Sequence, residues 1–312
     1  MSKYPVRSPE ATLNHQLSKA GAFCNRVVRG INHLKPSKLA RRRLEALIGI
    51  NGCMGDMRLC DVVARQKAAE ILFEVIDDLE PVFDEPSMRF FHITFADDLG
   101  LTSDRTPILR VGALKRKVYK AIRALGLSAI VEVENQPLLN YPAGGEGRTL
   151  MLHAHAIAWG KVSRRKFQDA KKELNGSRSW KNAFDAQPVM ERELFDFDEV
   201  RRMACYVAKL PHDGKIRVPK GDGYRFQTVL QGYPDRLALR IAEGLSHYSI
   251  FDAVFSVGDG KHLRSIWKRR LVEWHRDRLN RASKVHDFDV DAFWRRRHSS
   301  KRSGYDKPFE ID

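Results

Sequence analysis

Cysteine is scarce in this chain: four in 312 residues, at positions 24, 53, 60 and 205. None forms a Cys-x-x-Cys pair, which excludes the zinc ribbon and the thioredoxin-type site that this spacing marks. A zinc site can be drawn from Cys24, Cys53, Cys60 and His33, but buried free thiols in a reducing compartment are the simpler expectation. Acidic side chains are in deficit, 39 against 55 Lys and Arg, giving a formal charge of +16 and a pI near 9.8. A surplus of that size calls for a polyanionic partner, most simply nucleic acid, with a solvated basic surface as the plain alternative. Long hydrophobic runs are missing, so no membrane association is expected, and the opening MSKYPVRSPEATLNHQ has no apolar core of a secretory signal. The expected location is therefore cytoplasmic. A Walker A loop is also missing: in the near-miss Gly260-Lys261-His262, histidine replaces the hydroxyl residue and Phe255 stands where the first glycine belongs. Any helicase would have to be a separate protein.

What is present is a core-forming composition, 43% hydrophobic, enough for one large domain or a few small ones. Residues 1–85 read as helical, with apolar residues at three- and four-residue spacing in Arg41 to Leu47 and Leu59 to Leu79, and a Gly/Asn-containing turn at 48–56. The basic cluster from Lys35 to Arg43 suits phosphate contacts or a solvated helix face equally. Strands are expected at Met88 to Ala96 and Ser128 to Glu134, with a basic amphipathic helix, Val111 to Leu125, between them and a stop at Gly126. Asp97 to Pro107 and Pro137 to Arg148 read as connections. Thr149 to Trp159 is a strand, Ser163 caps a helix running to Leu174, and a further strand lies in Ala183 to Leu194, interrupted by Pro188. A helix opens at Asp196-Phe197-Asp198 and runs to Pro211. Short strands follow near Lys215 to Val218 and Tyr224 to Val229. Helices return at Leu237 to Phe255 and Arg264 to Arg281. The fold class is α+β, an antiparallel sheet with helices, flanked by helical regions. The expected organisation is an N-terminal helical region (1–85), a central domain (86–232), a C-terminal helical region (233–295) and a basic disordered tail (296–312).

The stretch TLMLHAHAIAWG, residues 149–160, holds the chemistry. His153 and His155 are two apart on a strand, so both imidazoles point to one face and supply half of a divalent-metal site. Glu132 and Glu134 share a face of the preceding strand, which can pair with the histidine strand as a hairpin. Either can add an oxygen ligand, a mixture that suits Mn²⁺ and, less ideally, Mg²⁺. Tyr206 and Lys209 are one helical turn apart. A tyrosine can attack a phosphodiester when a metal polarises the phosphate and a lysine steadies the charge. Arg178, Trp180 and Lys181 offer a base-stacking platform with phosphate contacts, or a core tryptophan with solvated neighbours.

The order FFHITFA, LHAHAIAW, YVAK resembles the three motifs of the rolling-circle replication initiator (Rep) proteins of the HUH superfamily, over about residues 88–215. The first motif, apolar-Thr-apolar-Thr, corresponds to His92 to Phe95, with Thr94 matching and His92 departing from it. The second corresponds to His153 and His155, and the third, Tyr-x-x-Lys, to Tyr206 and Lys209. The resemblance implies a ferredoxin- or palm-like HUH endonuclease domain. It also implies an acidic third ligand at Glu132, or failing that at Glu134, and a single catalytic tyrosine, since Arg202 and Leu210 stand one turn either side of Tyr206. The implied activity is metal-dependent nicking of single-stranded or hairpin origin DNA, leaving a 5′-phosphotyrosine and a 3′-hydroxyl, in plasmid or phage replication with a separate helicase and polymerase. The alternatives are a single-tyrosine transposase, a non-catalytic basic DNA-binding regulator, and a phosphodiesterase using metal-activated water.

Overall fold

The computed structural model describes residues 7–35, 57–105, 107–142, 148–183, 187–206, 213–220, 223–229 and 233–286, besides residues 37, 38, 41, 44, 45, 48, 209 and 211. The expected turn at 48–56, apart from residue 48, and the expected tail lie outside them. The chain divides into two units, Met1–Lys268 and Arg269–Asp312.

The first unit opens with helix α1 (Pro9–Leu34), fixed at its start by the Ser8 hydroxyl, which accepts from the Ala11 amide at 3.2 Å. Helix α2 (Val62–Val75) is capped in the same way by Asp61, which accepts from the Ala64 amide at 3.0 Å. A 3₁₀ turn (Ile76–Leu79) and the short α3 (Glu80–Phe83) lead into the sheet. The sheet and its helices then follow as β1 (Arg89–Ser103), α4 (Val111–Ala124), β2 (Ser128–Pro142), β3 (Arg148–Gly160), α5 (Arg164–Gly176), β4 (Val189–Leu194), α6 (Phe197–Tyr206), β5 (Gly214–Lys220) and β6 (Gly223–Val229). Helices α7 (Asp235–Ser246) and α8 (Ile250–Ala253), strand β7 (Val254–Val257) and helix α9 (Gly260–His286) complete it. α9 continues into the second unit, where Trp274 lies under the Arg278 guanidinium at 5.5 Å.

The strand order is β4-β1-β3-β2-β5-β6, and β7 pairs with β2. All pairings are antiparallel except β2 with β5. The outer edge of β2 is thus shared: β7 covers Ala129 to Glu132, and β5 joins at Leu138. This is the expected α+β architecture, a mostly antiparallel sheet with helices before and after it.

Four elements differ from their sequence reading. β1 and β2 are longer, running into Asp97 to Ser103 and Pro137 to Pro142. A bulge between Ala96 and Leu101 breaks the period-two pattern of β1, and prolines disguise the end of β2. The stretch expected as one helix from Leu237 to Phe255 is divided. Ser249 opens a fresh capping box with Asp252, and the β-branched, aromatic Val254 to Val257 then pairs with β2. The helix expected to reach Pro211 is described only to Tyr206, and Lys209 lies past it as irregular chain.

Gly100 shows why the bulge needs glycine. A Cβ there would stand 1.9 Å from the Leu152 carbonyl oxygen on β3, a backbone atom that cannot swing aside. Gly100→Ala is expected to lower stability by about 3 kcal/mol, at the upper end of ordinary single-substitution effects, because strand pairing must open. A urea titration at wild-type values would show that the bulge relaxes freely.

The two faces of the sheet are covered differently. Phe91 stacks on Phe167 of α5 and Phe95 packs at a tilt on Trp180, with centroids 4.3 and 5.7 Å apart. Neighbouring Phe90 turns the other way, onto Phe83 of α3, which meets Phe197 of α6. The same alternation sends His92 and Thr94 to the face on which α6 packs.

Candidate metal centre

Strand register assembles the site. His155 stands opposite Glu132 on one side and Thr94 on the other, and His153 stands opposite Glu134 and Ala96. Cross-strand partners share a face, so two histidines, two glutamates, Thr94 and His92 occupy one patch of the sheet.

Within it, Glu134, His153 and His155 form a group that could hold a metal ion. The two Nε2 atoms are 3.0 Å apart, and Glu134 Oε2 lies 3.1 Å from that of His155 and 3.6 Å from that of His153. Ligand atoms bonded to one ion at about 2.1 Å sit about 3.0 Å apart in cis octahedral positions and about 3.4 Å apart in tetrahedral ones. The observed separations match that range, so the residues fit an ion. The opposite ring nitrogens are also held. His153 Nδ1 lies 3.4 Å from the Met151 carbonyl, and His155 Nδ1 lies 3.2 Å from Thr94 Oγ1 and 3.1 Å from His92 Nε2. A proton kept on each Nδ1 leaves each Nε2 lone pair facing its neighbours, the arrangement a metal-binding imidazole requires.

Burial sets the protonation states. It pushes His153 down to about 3 despite the nearby Glu134 carboxylate. It does the same to His92, helped by His155 and Arg192. Burial raises Glu134, but Lys209 and the two imidazoles outweigh it and hold its carboxyl well below the usual range. A neutral His153 imidazole beside an ionised Glu134 carboxylate puts both donors in the form a metal ion takes.

Of the two glutamates, Glu134, the second choice in the sequence reading, stands with the histidines. The first choice, Glu132, is drawn instead to Arg65 on α2, whose guanidinium lies 3.1 Å from Glu132 Oε1 and also donates to the Lys209 carbonyl. Burial raises the Glu132 carboxyl well above the usual range, with Arg65 opposing. Lys209 reaches the group directly, its Nζ 2.7 Å from Glu134 Oε1. Tyr206 is the last residue of α6, which packs against β1 and β3.

Trp180 is only 6% exposed and packs on Phe95, on the face turned away from the histidines, with Lys117 4.7 Å over its ring. As placed, it is a core side chain. Arg178 and Lys181 are exposed beside it, and the Lys181 amide donates to Asp97.

Two participants escaped the sequence reading. Arg65 had a signal, being the cation at helical spacing from Val62, Ala68, Ala69 and Leu72, on the helix face that is buried. Lys215 had none beyond strand alternation. It faces Lys209, Glu134 and Asp213, and burial and then Lys209 lower its pKa. Cys24, Cys60 and Cys205 are buried free thiols, and Cys53 lies outside the described residues. Among the described residues, no helix is long and apolar enough to cross a membrane.

No protein-family model matches the chain, and neither the characterised proteins nor the solved structures compared with it give a significant match. Fold and site together define an α+β protein whose mostly antiparallel sheet carries a buried His–His–Glu group that could hold a metal ion.

Proposed function

We propose that the protein is a single-tyrosine HUH-type endonuclease that nicks single-stranded origin DNA, as a rolling-circle replication initiator does. The observation that carries this reading is the meeting of three distant motifs. His92 and Thr94 from the first contact His155 of the second, and Lys209 of the third contacts Glu134. The basic charge supports a nucleic-acid substrate.

A divalent ion bound by Glu134, His153 and His155 would polarise a non-bridging oxygen of the scissile phosphate. Lys209 places an ammonium beside the transferring phosphate. Tyr206 attacks phosphorus through its phenolic oxygen. The bond to the 3′ oxygen breaks, the phenol gives up its proton and the leaving oxygen takes one up. The products are a 5′-phosphotyrosyl link and a 3′-hydroxyl.

The test is a denaturing gel after incubation with Mn²⁺ and labelled single strands from the intergenic region beside the gene. A labelled band at protein size is expected for the wild type, lost in Tyr206→Phe and with chelator. Cleavage that survives in Tyr206→Phe without a covalent band would replace the reading with hydrolysis by metal-activated water.

A further inference from the structure

The β5–β6 hairpin continues the metal face of the sheet. β5 joins β2 with Lys215 beside Leu138, so Lys215 shares the face that carries Glu134 four residues earlier along β2. Arg217, two residues on, repeats that face about 7 Å further along the strand. Its guanidinium lies 5.7 Å over the ring of Tyr141, and its cross-strand partner is Phe226. Asn140 holds the Arg217 backbone from both sides, donating to its carbonyl at 2.7 Å and accepting from its amide at 2.7 Å. Tyr141 and Phe226 rest on Ala96, Leu138, Met151 and Ala183. Ala96 is the strand partner of His153, which makes the track continuous with the metal ligands. Lys215, Arg217, Tyr141 and Phe226 are all only half-buried.

Cations at alternate strand positions with aromatic rings beside one of them combine a phosphate track with a stacking surface, the two parts of a single-strand site. We propose that this hairpin seats the single-stranded DNA that enters the metal centre, with Lys215 and Arg217 on its phosphates and Phe226 and Tyr141 against its bases. A duplex does not suit the surface, because its bases are stacked on one another. The inference rests on the reading of the protein as a single-strand endonuclease and assigns that enzyme its substrate path.

The test is fluorescence anisotropy of the full chain with a fluorescein-labelled, mixed-sequence single strand, in EDTA, across a KCl series. Lys215→Ala and Arg217→Ala are each expected to weaken binding and to reduce the slope of log affinity against log salt by about 0.7, the value for one phosphate contact on a single strand. Lys215→Arg should keep the wild-type slope, separating lost charge from misfolding. Phe226→Leu should weaken binding by about tenfold with the slope unchanged, as lost stacking does. Arg165→Ala, on α5 with its side chain 94% exposed, is the control and should change neither. Wild-type slopes in both alanine variants, or an equal loss in Arg165→Ala, would overturn the assignment. A covalent tyrosine band together with unaltered slopes sinks the hairpin path alone. The expected slopes without a covalent band sink the nuclease reading alone.

Discussion

Alanine at His153 or at His155 is expected to weaken Mn²⁺ binding by about a hundredfold or more, read by isothermal titration calorimetry on the otherwise intact chain. Loss of an outer partner of a metal-binding histidine already costs 10- to 100-fold, so loss of a ligand itself should cost at least as much. The geometry sharpens the experiment at the carboxylates. Glu134→Gln should reproduce the loss, because Glu134 Oε2 is the oxygen within 3.1 Å of His155 Nε2. Glu132→Gln should bind Mn²⁺ as the wild type does, because that side chain is turned to Arg65. Undiminished binding in both histidine variants would place any bound ion elsewhere, and equal losses at Glu132 and Glu134 would make the two carboxylates joint ligands.

Arg65→Ala should produce the largest loss of stability. The Arg65 side chain is 5% exposed and that of its partner Glu132 1%, so removing it leaves the Glu132 carboxyl in the interior without the guanidinium beside it, and the Lys209 carbonyl loses a donor as well. A buried polar group left without its partner costs about 1–3 kcal/mol, so two of them cost about 2–6 kcal/mol, a large part of the ~5–15 kcal/mol that holds a typical domain folded. Chemical denaturation of Arg65→Met/Glu132→Leu is the companion measurement. Replacing both side chains by apolar groups should restore most of the loss, since no buried carboxyl is then left alone. A double variant as unstable as Arg65→Ala would show that packing around the arginine stem, and not the charge, is at stake.

Much of this was legible from sequence because it is local. The histidine strand, the caps at Ser163 and Gly126, and the helix opening before Val200 each follow from a few adjacent residues. The choice between Glu132 and Glu134 did not. Alternation puts both on one face, and an arginine on a distant helix separates them. β7 is four residues long, too short for periodicity to distinguish from the helical pattern on either side. The bulge at Gly100 made one long strand look like a strand and a loop. Trp180 had two readings in sequence, and its burial depends on contact with Phe95, a residue 85 positions away in the chain.

The shared edge of β2 also bears on how the chain can reach this state. Its two neighbours on that side come from separate later segments, β5 and then β7, and helix α8 must turn before β7 can dock. During synthesis, the strand that carries Glu134 would be made long before its partners and would wait with unpaired amides and carbonyls. Such an edge invites pairing with the wrong strand until β7 arrives. Ordering of the metal ligands should therefore come late, in step with closure of the sheet, and a chain truncated before Val254 should be prone to associate with itself.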